Sequence, residues 1–124
     1  MRSKSPTLTE QELEIMKIVW ELQTATVREV YETLLRRRKI AYTTVMTMMN
    51  ILESKRHLKK RAEGRAHVYQ ATRSRREVIK GMVHEFVDRV FNGSAEPLLV
   101  HLIKDRRLSQ KDLEKIARTI KEAE

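Results

Sequence analysis

The side chains best suited to a chemical role in this sequence lie within residues 40–55, and they are hydrogen-bonding groups rather than catalytic ones. Tyr42, Thr43, Thr47 and Asn50 share a helical face with Met46, and none of these side chains is charged. Such a face is an unusual way to solvate a helix. It matches the edges of DNA bases, where hydroxyls and amides form hydrogen bonds and methyl groups contact thymine. The pattern therefore predicts a helix that reads base edges.

The opposite side of the same stretch is apolar. Val45, Met48, Met49 and Leu52 recur at i, i+3, i+4 and i+7, which is the spacing of a helix face packed on a core. A helix is therefore predicted from near Tyr42 to near Lys55, with one face buried and one face free to meet a partner.

A basic hairpin follows this helix. Residues 58–61 and 66–69 read as two short strands, and Gly64 supplies the positive φ that a tight turn needs. The net charge is +9, and residues 36–65 hold ten Lys or Arg against two acids. The basic side chains predicted to contact phosphate are Lys55, Lys59, Lys60, Arg61 and Arg65. The alternative is that this charge is only solvated surface.

Two helices precede this stretch. Thr9 with Glu12, and Thr26 with Glu29, have the spacing of capping boxes, so helices are predicted from residue 10 to about 22 and over 27–36. The link at residues 23–25 is predicted to add a short strand to the hairpin. Trp20 is interpreted as a core residue rather than a ligand platform.

Three further helices are predicted over residues 75–91, 96–104 and from 109 onward. They carry more apolar surface than a segment of about 50 residues can bury alone, so residues 73–124 are interpreted as a homodimerisation domain and 1–72 as a separate DNA-binding domain. The predicted dimerisation residues are Ile79, Met82, Phe86, Val90, Leu98, Leu99, Leu102, Ile103, Leu113, Ile116 and Ile120. The alternative is that these helices pack back on the first domain as a monomer.

Several function classes lack support. The sequence has no cysteine, which excludes disulfides and thiolate metal sites. No apolar run approaches the roughly 18 residues of a membrane span, and the first residues include no secretory signal, so a cytoplasmic protein without membrane contact is expected. No catalytic or metal site and no cofactor is predicted. His84, Glu85 and Asp88 are interpreted as plain helix surface.

The predicted fold is mainly α with a small β-wing: an N-terminal winged helix-turn-helix followed by a C-terminal three-helix dimerisation region. The motifs LTEQELEIMKIVW, TTVMTMMNILESK, LKKRAEGRAHVY and NGSAEPLLVHLIKDRRLSQKDLEKI occur in this order, and with them the chain resembles the penicillinase and methicillin-resistance repressors and their copper-responsive relatives, the BlaI/MecI/CopY family. The resemblance implies a homodimeric, sequence-specific repressor that blocks transcription by occupying a double-stranded DNA operator with dyad symmetry. It makes Thr43, Thr44, Thr47 and Asn50 the base-reading positions and puts Arg65 at the wing tip.

Two departures from the family pattern concern the inducing signal. Penicillinase-type members are cut by a sensor-linked protease at an Asn-Phe bond, where this chain has His101 and Leu102. Cleavage by a protease of another specificity stays open. The copper-responsive members carry a cysteine metal motif, which is missing here. The alternative function is a nonspecific or architectural nucleic-acid-binding protein, for which the same charge pattern would serve.

Overall fold

Capping side chains set where the first two helices begin. The computed structural model describes residues 8–123, and in it helix α1 spans Glu10–Leu22 and helix α2 spans Val27–Leu35. The backbone N–H of Thr9 donates to Glu12 Oε1 at 2.9 Å and that of Glu12 donates to Thr9 Oγ1 at 3.1 Å. Thr26 and Glu29 make the same reciprocal pair. Both predicted capping boxes are therefore confirmed.

Helix α3 spans Tyr42–Ser54, one residue short of the predicted end, and starts without a side-chain cap. The hairpin strands are β2 (Leu58–Glu63) and β3 (Ala66–Ala71), each longer than predicted, and Gly64 in the turn has φ 64°. The short strand β1 (Thr24–Ala25) pairs with the other side of β3, which gives an antiparallel sheet in the order β1-β3-β2. Tyr69 of β3 lies opposite Ala25 on one side and Lys60 on the other.

The core lies where α1, α2 and α3 meet the sheet. The side chains with at most 2% exposure include three of the four residues in the predicted α3 stripe, while the fourth, Met48, is half-buried. They are Ile15, Met16, Ile18, Val19, Val30, Leu34, Val45, Met49, Leu52 and Leu58, together with Ala25. Trp20, which was expected in the core, is only half-buried, and its indole N–H donates to the carbonyl of Arg73 at 3.0 Å near the surface. The predicted winged helix is confirmed.

Three more helices complete the described chain: α4 (Arg75–Phe91), α5 (Glu96–Lys104) and α6 (Gln110–Ala123). The chain divides into two units, the first ending at Ile79 and the second beginning at Lys80. The predicted boundary at 72–73 is near this division and stays a prediction. No side chain of the second unit (residues 80–123) is buried. None of the helices within residues 8–123 has the length and apolar character needed to cross a membrane.

Among residues 8–123, four helices are followed by a non-glycine residue with a positive φ, where a side chain costs free energy. These residues are Gln23 (φ 74°), Arg56 (φ 67°), Asn92 (φ 54°) and Arg106 (φ 61°). Asparagine adopts this conformation more readily than the other three. The N–H of Gln23 donates to the carbonyl of Val19 at 2.8 Å, which completes the last hydrogen-bonded turn of α1.

Candidate nucleic-acid interface

Helix α3 presents an uncharged, exposed face opposite its buried stripe. We call this the reading face; its members are Tyr42, Thr43, Thr44, Met46, Thr47 and Asn50, all of which are exposed. Because Val45, Met49 and Leu52 are buried on the other side, α3 cannot rotate without exposing core side chains. The reading face is therefore fixed toward solvent, and it offers hydroxyl, amide and apolar groups to a partner.

Two side chains of α2 hold the start of the reading face. The Tyr42 ring meets the Tyr31 ring edge-on, with centroids 5.4 Å apart and planes at 79°. The guanidinium carbon of Arg28 lies 5.7 Å from the centre of the Tyr42 ring, within the range of a cation–π interaction. Since α3 has no side-chain cap, these ring contacts fix its first turn against α2. The sequence pattern gave no signal for the contacts of Tyr31 and Arg28.

The far end of the reading face is fixed by the sheet. The Tyr69 hydroxyl of β3 donates to Asn50 Oδ1 at 3.1 Å, and Tyr69 is only 3% exposed. The Lys60 ammonium of β2 lies 5.9 Å from the centre of the Tyr69 ring and 3.5 Å from Glu53 Oε1 of α3. These contacts join the hairpin to α3. Neither the residue type nor the spacing of Tyr69 and Glu53 in the sequence indicates these contacts.

The hairpin carries the rest of the predicted phosphate-binding charge. Lys59, Lys60, Arg61 and Arg65 are all exposed, and Arg61 pairs with Glu63 at 3.3 Å. Within residues 8–123, Lys59 and Arg65 make no ion pair. Arg65 also lines an open groove between the start of α2, the reading face and the hairpin, next to Asn50 and Lys60. Cations and uncharged hydrogen-bonding groups therefore share one concave surface.

Lys55 is placed differently from the other predicted phosphate contacts. Its Nζ lies 3.0 Å from each carboxylate oxygen of Glu12, a buried residue of α1. Burial alone raises the pKa of the Glu12 carboxyl, but the Thr9 N–H and the Lys55 ammonium outweigh it, so the pKa is held below its usual 4.5. This pair links α1 to the end of α3. The Lys55 ammonium therefore already has a partner within the fold. A phosphate contact from Lys55 stays a prediction.

Two arginines between α2 and α3 share one carboxylate. Arg38 Nη2 lies 2.8 Å from Glu14 Oε1, and Arg37 Nη1 lies 3.6 Å from Glu14 Oε2. This arrangement ties the basic segment between α2 and α3 (residues 36–39) to α1 and neutralises part of the positive charge of that segment. Arg36 and Lys39 remain exposed beside the pair.

The predicted dimerisation residues lie on α4, α5 and α6, and none is buried. Five are exposed and six are half-buried. The exposed ones are Phe86, Val90, Leu99, Ile103 and Ile120; the half-buried ones are Ile79, Met82, Leu98, Leu102, Leu113 and Ile116. In the second unit, the Phe91 ring contacts those of Phe86 and His101, with centroids 5.8 and 6.0 Å apart. The predicted cleavage-equivalent pair, His101 and Leu102, lies inside α5.

Across residues 8–123 no group of three or more His, Cys, Asp or Glu side chains is placed to hold a metal ion. The geometry on the first unit (described residues 8–79) is that of a binding surface: a fixed helix face, a basic hairpin and a groove between them.

Comparisons with known proteins agree with this geometry. The sequence model of the penicillinase repressor family matches residues 8–122. The transcriptional regulator BlaI of Mycobacterium tuberculosis is 32% identical, covering 98% of this chain and 88% of that protein. The penicillinase repressor of Bacillus licheniformis is 26% identical over 96% of this chain and 93% of that protein. The solution structure of monomeric Bacillus licheniformis BlaI with the blaP half-operator is 30% identical, with a TM-score of 0.52, covering 58% of this chain and 88% of that one.

Proposed function

The chain belongs to the penicillinase repressor family, and we propose that it is a sequence-specific DNA-binding repressor of transcription. The observation that carries this proposal is the reading face of α3, which is exposed, uncharged and flanked by the basic hairpin. The relative solved with a half-operator covers 58% of this chain at 30% identity, which supports the same mode of binding here. Family membership also argues against an enzyme.

In the proposed complex, α3 enters the major groove and the hairpin follows the backbone. Thr43, Thr44, Thr47 and Asn50 are proposed to contact base edges, each good contact contributing about 1–3 kcal/mol of discrimination. Lys59, Lys60, Arg61 and Arg65 are proposed to contact phosphates, which supply affinity without sequence information.

We further propose that the protein acts as a homodimer on a dyad operator. The second unit exposes large apolar side chains, among them Val90 at 49% and Ile120 at 58%, and a second copy would cover them. Two copies related by two-fold symmetry would place their α3 helices at half-sites about 34 Å apart, or a multiple of that distance. A dimer bound across a promoter would block transcription by occupancy.

Selection of binding sites from random and genomic DNA with the purified protein tests the proposal. A dyad motif with fixed spacing is the expected result. Competition should show specific DNA preferred over random DNA by about 10³-fold or more. A flat profile with strong salt dependence would instead indicate the nonspecific or architectural binder.

Leu99→Asp tests the dimer. A carboxylate on the exposed apolar face of α5 should yield monomers in sedimentation and weaken operator binding, because one monomer holds half of the contacts. Ser94→Asp, at an exposed position before α5, adds the same charge and should leave the dimer intact. A dimer of normal affinity from Leu99→Asp would remove α5 from the proposed interface.

Relief of repression by a sensor-linked protease is a further proposal. The bond between His101 and Leu102 lies inside α5, so a protease would need local unfolding of this helix to reach it. Mass spectrometry of the protein recovered from induced cells tests this. Fragments ending at His101 are expected, and an intact chain in fully induced cells would refute it.

A further inference from the structure

Asn50 is the one member of the reading face whose side chain is already hydrogen-bonded to a buried group in the described structure. Its Oδ1 accepts from the Tyr69 hydroxyl at 3.1 Å. Tyr69 is 3% exposed, whereas Asn50 is exposed. A buried tyrosine hydroxyl needs a hydrogen-bond partner, so the bond serves both residues. The amide of Asn50 is therefore oriented before any DNA is bound.

The bond determines which atom of Asn50 is left to face a partner. The amide oxygen is turned toward a buried residue of β3, and the amide nitrogen, with its two N–H groups, is at the other corner of the amide plane. An asparagine that reads adenine uses both corners, accepting from N6 and donating to N7. With one lone pair of its oxygen taken by the Tyr69 hydroxyl and the oxygen turned toward β3, Asn50 is a poor acceptor for adenine N6.

We infer that Tyr69 makes Asn50 a hydrogen-bond donor toward DNA, so that Asn50 selects guanine over adenine. In the major groove guanine presents two acceptors, N7 and O6, which match the two N–H groups of the amide. Adenine presents one acceptor, N7, beside the N6 amino donor. That donor would face an N–H group of Asn50 and would find no acceptor there. Tyr69 is a positioning residue here, since it acts through Asn50.

Neighbouring contacts keep Tyr69 itself in place. Lys60 lies across the sheet from Tyr69, and its ammonium is 5.9 Å from the centre of the ring. The same ammonium is 3.5 Å from Glu53, one turn of α3 beyond Asn50. Strand β3 is the central strand of the sheet, with β1 and β2 on its two sides, so its backbone cannot shift easily. The orientation of Asn50 thus rests on a rigid support.

Tyr69→Phe tests the inference, since it keeps the ring and removes only the hydroxyl. In the Tyr69→Phe variant the Asn50 amide is released, so it can rotate and accept a hydrogen bond from adenine N6. The preference for guanine over adenine at the base pair read by Asn50 should therefore fall by about three- to tenfold, the range expected for one neutral hydrogen bond. This preference is measured by site selection, followed by anisotropy titrations on two operators that differ only at that base pair. Thr33→Val removes a hydroxyl from α2 that donates to the Glu29 carbonyl of the same helix, and it should leave the preference unchanged.

Two further measurements separate a positioning role from a structural one. In an Asn50→Ala background, Tyr69→Phe should have no effect on base preference, because the reader is gone. In the full-length free protein, the side-chain amide NMR signals of Asn50 should show one fixed orientation in the wild type and averaging in Tyr69→Phe. Equal loss of affinity for all sequences, or Asn50 signals that do not respond to the substitution, would overturn the inference.

The inference rests on the proposed function, and the experiment distinguishes the two. A flat selection profile for the wild-type protein would overturn the proposed function and this inference with it. A dyad motif whose guanine preference survives Tyr69→Phe, or that has adenine at the Asn50 position, would overturn the inference alone.

Discussion

Replacing Lys55 by methionine tests how α1 supports the end of α3. The substitution keeps the aliphatic stem and removes the ammonium, which leaves the buried Glu12 carboxylate with the Thr9 N–H and no cation. Removing one partner of a fully buried ion pair costs about 3–5 kcal/mol, and an exposed pair contributes at most about 1 kcal/mol. The side chains of Glu12 and Lys55 are 7% and 26% exposed. We therefore expect a loss of about 2–3 kcal/mol, below the fully buried limit.

Urea unfolding of the full-length protein, followed by Trp20 fluorescence, measures this loss. Trp20 is the only tryptophan in the sequence, and it lies on α1 in the same unit as the ion pair. With a slope of about 1–3 kcal/mol per molar urea, the midpoint should fall by roughly 0.7–3 M. Glu32→Gln is a suitable control, because it breaks the exposed pair of Glu32 with Arg28 and should change stability by less than about 0.5 kcal/mol.

The stability difference between the wild type and Lys55→Met should depend on pH in one direction, which can be checked. The pKa of Glu12 is held below 4.5 in the folded protein, so the ion pair stabilises the fold above that pH and the stabilisation is lost as pH falls through the lower, folded-state pKa. The difference between the wild type and Lys55→Met should therefore shrink as the pH is lowered through the region of 4.5 and below. A loss under about 0.5 kcal/mol at pH 7, or one that does not change with pH, would refute this account.

Three other substitutions test the interface and the core. Thr47→Ala should weaken specific binding by about 1–3 kcal/mol and leave nonspecific binding nearly unchanged, as measured by competition with random DNA; equal losses would remove Thr47 from the base-reading set. Arg65→Ala should weaken binding to both DNAs and lower the salt slope by about one, and an unchanged slope would argue against a phosphate contact. Met49→Ala, at a fully buried position of α3, should cost about 2–5 kcal/mol in urea unfolding, and a smaller cost would mean that the core closes over the cavity.

Local features of the chain were predicted well from the sequence. The capping boxes at Thr9 and Thr26 depend on side chains three residues apart, and the buried stripe of α3 depends on a repeat within two turns. Such signals are complete within a few residues, so a sequence pattern is enough to find them. The turn at Gly64 belongs to the same class, because one residue with positive φ defines it.

Pairs that are distant in the chain were not predicted. Lys55 was interpreted as a phosphate contact from its charge and position, while its partner Glu12 lies 43 residues earlier. Tyr69 and Asn50 are 19 residues apart on a strand and a helix, and no pattern links them. Trp20 was expected in the core because it falls on an apolar face of the first helix, but its indole N–H donates to a carbonyl at the surface. These contacts depend on how elements pack, which periodicity does not specify.

The positive-φ residues after α1 and α5 have a consequence for engineering this protein. Gln23 and Arg106 both have a positive φ, which costs a side-chain-bearing residue free energy and costs glycine nothing sterically. Natural selection retains a fold that is stable enough and does not drive it to its maximum. Glycine at these two helix ends would therefore raise thermal tolerance while leaving every side chain of α3 and the hairpin as it is, which makes them the first positions to change when a more robust version of the molecule is wanted.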